Sequence, residues 1–486
     1  TYSDKGFNAM SRNMHDFVRK HIVRGQWQYK ERPVLLNSWE AAYFDISERK
    51  LYELAKAGHD VGIELFVMDD GWFGNRDDDS SSLGDWYVNK KKLPNGIKGI
   101  CDKINALGMS FGIWVEPEML NVNSDLYRLH PDWAMDIPGC AHSEGRNQRI
   151  LDLCNPEVSE YIIDSMTNVF SSANIAYVKW DMNRIFSDYY SKYLKAQGRP
   201  QGETAHRYVM ALGRIMRTLT ERFPHILFEG CAAGGNRFDL GILCYFPQIW
   251  ASDNTDAVSR TYIQEGLSYG YPMSTVSAHV SACPNHQTLR VTPLSTRFNV
   301  AAFGICGYEC NLVDMSKAER SEIKTQIDIY KKWRHAMQFG CFYRQRTGNI
   351  HQWTVVDEEA GRAVGLIMQE LVRANTQNEE YYAAGLDPEA VYSFYNRPLK
   401  HNVKEFGDLI NTVAPIHIRQ GSLLHGMVAK FVTMPGETEK YELSGSMLMN
   451  CGVRLKQAFA ATGFSEEVRH FPDFASRLYF MEKISD

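Results

Sequence analysis

The chain has 486 residues, of which 44% are hydrophobic and 23% charged, with a formal net charge of -5. That length calls for two or three domains built on large cores, and the slight acidic balance offers no basic surface to a nucleic-acid backbone. No stretch approaches the roughly eighteen apolar residues of a membrane-spanning helix, so no membrane partner is expected.

In chain order, "FNAMSRNMHDFVRKHI" predicts a lead-in helix within residues 1–30. Short apolar segments and longer amphipathic ones then alternate to about residue 300. The first four apolar segments are "PVLLNSWE" (33–40), "VGIELFVMDDGWF" (61–73), "MSFGIWVEPE" (109–118) and "RILDLC" (149–154). The next four are "IAYVKWDMN" (175–183), "HILFEGCAAGG" (225–235), "FPQIWASDNTD" (246–256) and "VSAHVSACPNH" (276–286). Spacers such as "ISERKLYELAKAGHDV" and "ETAHRYVMALGRIMRTLTERF" read as helices. Eight β-like segments with helical crossovers predict an α/β fold, a (β/α)8 TIM barrel over residues 31–375. Beyond it, "AVYSFYN", "KEFGDLI", "PIHIRQ", "VAKFVTM" and "SRLYFMEK" predict short strands of a C-terminal antiparallel β-sandwich domain over residues 376–486.

In such a barrel the C-terminal strand ends form one mouth, where side chains from distant positions converge. On this count Asp69 and Asp70 follow strand two, Glu116 and Glu118 strand three, Asp181 strand five, and Asp253 and Asp256 strand seven. A mouth so crowded with carboxylates suits either a metal or a glycosidase. Neither HExxH nor a DxDxDG loop occurs, so no metal is expected. The loop "EGCAAGGNRFD" lacks both GxGxxG and a GKS or GKT ending, so no phosphate-bearing cofactor is expected either. Its glycines are read as letting the backbone approach a ligand. Cys231 either faces the mouth or is a buried structural thiol. The 10 cysteines are scattered, several in apolar runs such as "FGICGYEC", which suits a reducing, cytoplasmic setting.

Glycoside hydrolysis needs two carboxyl groups flanking one C–O bond. Asp181 suits the nucleophile, because Lys179 lies two residues earlier on the same strand face, where its charge keeps a carboxylate ionised. Asn183 supplies a hydrogen-bond donor behind it. Asp253 suits the proton donor, with Asp256 as a nearby negative charge and Trp250 reducing solvent. Helix capping is the alternative for Asp181, and for Asp256 ahead of "AVSRTYIQEG".

"NSWEA", "MDDGWFGNRDDD", "WVEPEM", "EGRNQ", "KWDMNR", the cysteine-containing glycine loop and "WASDNTDA" together resemble the bacterial α-galactosidases of glycoside hydrolase family 36. The resemblance runs from "TYSDKG" to "SRLYFMEK". It implies a retaining exo-α-galactosidase acting on melibiose- and raffinose-type oligosaccharides, with Asp181 as nucleophile, Asp253 as general acid/base, and about 5 Å between the two carboxyls. It also implies that Asp69 and Asp70 hold the galactose 4-OH and 6-OH and that Trp39 and Trp114 line the ring. Arg146, Lys179 and Asn183 make polar contacts, and Cys231 lies near the 2-OH; Asp256 is grouped with these substrate-binding residues. The same catalytic pair serves an α-N-acetylgalactosaminidase or a raffinose-type transglycosylase, and a non-catalytic carbohydrate-binding protein is a further alternative. Members of the family carry a large N-terminal β domain, and the chain opens where that domain would end. The intact family architecture implies a tetramer.

Overall fold

The computed structural model describes residues 2–143, 145–373, 379–459 and 468–484. They form two compact units. The first comprises residues 1–2, 13–291 and 304–334, and the second residues 3–12, 292–303 and 335–486.

The first unit is a closed parallel barrel. Its strands are β1 (Leu35–Asn37), β2 (Leu65–Met68), β3 (Ser110–Val115), β4 (Ile175–Trp180), β5 (Leu227–Gly230), β6 (Gln248–Trp250), β7 (Val276–Ser281) and β8 (Ile305–Glu309). Each pairs with its sequence neighbours, and β8 closes on β1 with Leu35 opposite Gly307. Sequence alternation decides what faces inward. Leu35, Leu65, Val67, Tyr177 and Leu227 form one buried apolar cluster, on which Trp27 packs. Two residues on from Leu35, Tyr177 and Leu227 stand Asn37, Lys179 and Glu229, so a polar layer lies above the apolar one. The intervening residues face helices: Phe228 stacks on Phe246 and meets Phe170 edge-on. Glycine makes the interior fit at two places, since a Cβ on Gly112 or Gly307 would lie 2.8 Å from Tyr177 or 2.6 Å from His279.

Two segments differ from the sequence reading. "RILDLC" does not enter the barrel; Gln148–Ile150 pairs antiparallel with Met119–Asn121 outside it. The remaining barrel strand is β8, from the run "FGICGYEC". Asp181 therefore follows the fourth barrel strand, and Asp253 and Asp256 follow the sixth. The predicted helices are present as Glu48–Val61, capped by Ser47 and ended by left-handed Gly62, and as Thr204–Arg222. The lead-in helix is Gly6–Phe17, continued by a π-helical turn to Ile22. No helix among the described residues is long and apolar enough to cross a membrane.

The second unit carries a six-stranded antiparallel sheet. Its strands are β9 (Cys341–Thr347), β10 (Ile350–Asp357), β11 (Arg362–Gln369), β12 (Val391–Asn396), β13 (Lys440–Ser444) and β14 (Ser476–Lys483), in the order β9-β10-β11-β14-β12-β13. Tyr381 and Val453, from the ribbon Glu380–Tyr381/Val453–Arg454, pack with Phe394 and Tyr479 in its core. The expected boundary at 375/376 falls inside this unit, because the hairpins β9 to β11 precede it. "AVYSFYN" and "SRLYFMEK" are strands as predicted. "KEFGDLI" is helical instead, within Val403–Thr412, and "VAKFVTM" is helical to Phe431 before the short strand Thr433–Pro435. Caps override their β-like composition: Asn402 and Glu405 form a capping box, and the Ser422 side chain accepts from the His425 backbone N–H.

Candidate active site

The barrel mouth holds a cavity of about 200 Å³. Nine of the eleven predicted site residues line it: Trp39, Asp69, Asp70, Trp114, Arg146, Lys179, Asp181, Asn183 and Asp253.

Asp181 is the most heavily supported of the carboxylates. Its Oδ2 accepts from Asn183 Nδ2 at 2.6 Å and from Trp114 Nε1 at 3.2 Å, and its Oδ1 from the Met182 N–H at 2.8 Å. Burial alone would raise its pKa. The Lys179 charge and the hydrogen bonds from Cys231, Asn183 and Met182 outweigh it and hold the carboxyl below the usual range. Lys179 acts on Asp181 through space, while its Nζ donates to Asp69 Oδ2 at 3.0 Å. Despite burial, Lys179 stays cationic, its pKa raised by Asp69 and Glu309. Asp69 Oδ2 also accepts from Asn37 Nδ2 at 2.8 Å, and Asp70 is gripped by Arg76 through Nε (3.1 Å) and Nη2 (2.9 Å). Trp39 stands half-buried at the rim, and exposed Arg146 reaches the cavity from a residue with φ of 52°.

Asp253 is the opposite case. Burial and then the charge of Asp181 push its pKa up, so it keeps its proton more readily than an ordinary carboxyl. Trp250 Nε1 donates to its Oδ1 at 2.9 Å. Two carboxyls whose environments drive them apart in this way suit a base-or-nucleophile and acid pair.

Two predicted residues do not line the cavity. Asp256 is the N-cap of the helix Ala257–Leu267: its Oδ2 accepts from Ser259 N and Oγ, both at 2.9 Å, and from Arg290. The capping reading is the one realised, and Asp181 rather than Asp256 supplies the negative charge acting on Asp253. Cys231 lies behind the wall, buried, its thiol kept neutral by that burial and by the charge of Asp181, to which it donates. The glycine loop also does something other than expected. A Cβ on Gly234 would lie 2.8 Å from the Asp253 backbone nitrogen, and one on Gly235 would lie 2.4 Å from the Ala251 carbonyl. These glycines admit the segment that carries Asp253. Gly235→Ala is accordingly expected to displace Asp253 and lower kcat on an aryl glycoside by about a hundredfold, measured by steady-state kinetics.

The cavity also holds residues that the sequence reading missed, among them Glu40, Thr255, His286 and Glu309. Glu40 Oε1 accepts from Thr255 Oγ1 at 2.9 Å and faces His286 Nδ1 at 3.0 Å. Glu309 Oε2 lies 2.9 Å from His279 Nδ1, and the His279 ring packs on Trp250 with 4.3 Å between centres. The signal for Glu309 was its place at a strand end. Glu116 and Glu118 face elsewhere. Glu116 binds the Asn183 N–H and Gln148 Nε2, and burial and Asp181 push its pKa up to about 8. Glu118 accepts from Trp180, Tyr208 and Arg237.

A family model described as Melibiase matches residues 1–340, and one described as Glycosyl hydrolase family 36 C-terminal domain matches residues 350–481. The α-galactosidase AgaA of Geobacillus stearothermophilus is 49% identical over 394 residues, 80% of this chain and 54% of the relative. The α-galactosidase Mel36A of Lactobacillus acidophilus is 45% identical over 393 residues, 80% of this chain and 53% of the relative. A crystal structure of AgaA superposes with a TM-score of 0.85 at 41% identity, covering 100% of this chain and 60% of that one. The chain thus spans about half the length of the curated relatives it matches. Matched in order along nearly its whole length, the chain belongs to glycoside hydrolase family 36, the melibiase family.

Proposed function

We propose that this chain carries the catalytic part of an exo-acting α-galactosidase that releases terminal α-D-galactosyl residues from raffinose- and melibiose-type oligosaccharides by retaining double displacement. The observation that carries the reading is the opposed pair in one cavity: Asp181 held ionised, Asp253 inclined to keep its proton. Asp181 attacks the anomeric carbon while Asp253 protonates the departing oxygen; Asp253 then deprotonates the water that releases α-galactose. Asp69 and Asp70, fixed by Lys179 and Arg76, present oriented carboxylate oxygens to the sugar hydroxyls. A carboxylate aimed at an axial 4-OH rejects the glucose epimer because its buried hydrogen bond would go unmade. AgaA variants from G. stearothermophilus have been solved in complex with raffinose and with stachyose, which supports the substrate class. The free cysteines among the described residues suit a cytoplasmic setting.

Hydrolysis of p-nitrophenyl α-galactoside, with the product anomer followed by NMR, tests this reading. α-Galactose as the first product is expected. β-Galactose first would overturn retention, and exclusive turnover of the 2-acetamido analogue would overturn the substrate. The pH profile of kcat/KM should be a bell. Its acid limb, where Asp181 gains a proton, lies below the ordinary carboxylate range, and its alkaline limb, where Asp253 loses one, lies above it. Trp250→Phe removes a hydrogen bond that favours ionised Asp253, so the alkaline limb should move up.

A further inference from the structure

The second unit brings together three side chains from two segments far apart in sequence. His401 lies on the strand Lys400–Asn402, Glu405 in the first turn of Val403–Thr412, and His470 ahead of β14. One ligand atom of each lies within 4.8 Å of the other two. Glu405 Oε2 stands 3.2 Å from His401 Nδ1 and 3.7 Å from His470 Nε2. The longer distance is beyond a hydrogen bond. Both are close to the edge of a tetrahedron whose metal–ligand arms are about 2.0–2.1 Å, an edge of about 3.4 Å.

The three groups are held in place. Glu405 Oε1 accepts from the Asn402 N–H at 2.8 Å as part of the capping box, which leaves Oε2 to face the two imidazoles. The His470 ring packs on Phe406 at 4.7 Å and meets the His401 ring edge-on at 4.9 Å between centres. His401 is only 7% exposed, and the second nitrogens of both rings, His401 Nε2 and His470 Nδ1, are buried without a hydrogen-bond partner among the described residues. His401 Nδ1 hydrogen-bonds Glu405 Oε2, whereas His470 Nε2 stands beyond hydrogen-bond reach of the same oxygen, so a single carboxylate oxygen faces two imidazoles and satisfies only one of them.

We propose that His401, Glu405 and His470 bind one divalent transition-metal ion of the zinc type, with a fourth position for water. Two imidazole nitrogens and one carboxylate oxygen suit zinc; calcium and magnesium take oxygen donors. Such an ion ties the Lys400–Thr412 segment to the stretch ahead of β14 and stabilises the unit by binding only its folded form.

The test uses the intact 486-residue chain, stripped with a chelator and titrated with Co(II) as a visible probe and with Zn(II) by calorimetry. One equivalent per chain, a tetrahedral Co(II) spectrum displaced by Zn(II), and a rise in Tm with Zn(II) are expected. His470→Ala and Glu405→Gln should each weaken Zn(II) binding by about a hundredfold or more and abolish the rise in Tm. Glu405→Gln keeps size and shape at a half-exposed position, so it decides the matter if His470→Ala does not fold. Absence of saturable binding, or wild-type affinity in the folded variants, would overturn the proposal.

Discussion

Asp181→Ala is expected to lower kcat on p-nitrophenyl α-galactoside by about 10⁴-fold or more, with azide restoring turnover and yielding β-galactosyl azide. The loss should be that large because no neighbour can stand in. Glu116 is a neighbouring carboxyl in space, but burial and Asp181 raise its pKa to about 8, and its oxygens are engaged by the Asn183 N–H and Gln148. Asp253 accepts from Trp250 and, on the proposed mechanism, supplies the proton. Removing the Asp181 side chain opens space where a small anion can attack the same carbon, while Asp253 still protonates the leaving group. The azide product carries the diagnostic weight, since a merely structural Asp181 would give no inverted adduct. Undiminished activity in Asp181→Ala would remove it from the mechanism.

Lys179→Met should be nearly as severe, by a different route. The ammonium lies 3.0 Å from Asp69 Oδ2, with both side chains almost wholly buried, and 5.9 Å from the centre of the Trp250 ring. Removing it leaves Asp69 and Asp181 as buried charges without their cation. Breaking a buried pair on one side costs about 3–5 kcal/mol, to be read as a lower urea midpoint. A second readout separates stability from chemistry. Lys179 is the largest influence lowering the pKa of Asp181, so the acid limb of kcat/KM should move to higher pH in the variant. The sign follows from the form the proposed mechanism uses: it needs Asp181 ionised, and without the cation Asp181 holds its proton to a higher pH. Asp69→Asn in the same chain should recover part of the stability, because one orphaned charge is removed, but not the position of the limb.

The carboxylate pair was legible in the sequence because period-two alternation carries over directly into space. Lys179 lies on β4 and Asp181 directly beyond its end, two residues on, so both reach the mouth from the same side of the strand. Glu309 was not legible for a related reason. "FGICGYEC" has no alternation of its own, since a strand buried on both sides reads as a continuous apolar run. "RILDLC" looks more like a strand, yet its hydrogen bonds go to Met119–Asn121, a choice made by tertiary partners rather than by composition. Asp256 presents an ambiguity that only geometry resolves, because a capping aspartate and a catalytic one both follow strands. The glycines after Cys231 are expected to let the backbone approach a ligand, whereas the group they admit is the Ala251–Asp253 backbone. His401 and Glu405 stand four residues apart, but His470 joins them only once the stretch ahead of β14 is in place, so the trio carries no combined spacing signal.

The placing of residues 292–303 in the second unit bears on how the protein emerges from the ribosome. The helix Leu294–Ala301 is synthesised before β8. Yet Thr296 and Asn299 hydrogen-bond Ser476 Oγ, across 180 and 177 residues of sequence. At the roughly 5–20 residues per second of translation, those polar groups wait on the order of 10–35 s for their partner to be made. Until that serine is made, the Thr296 hydroxyl and the Asn299 amide lack this partner, so closure of the second unit around the helix waits on the segment that carries Ser476. A stall in translation ahead of Ser476 would leave those two hydrogen bonds unmade.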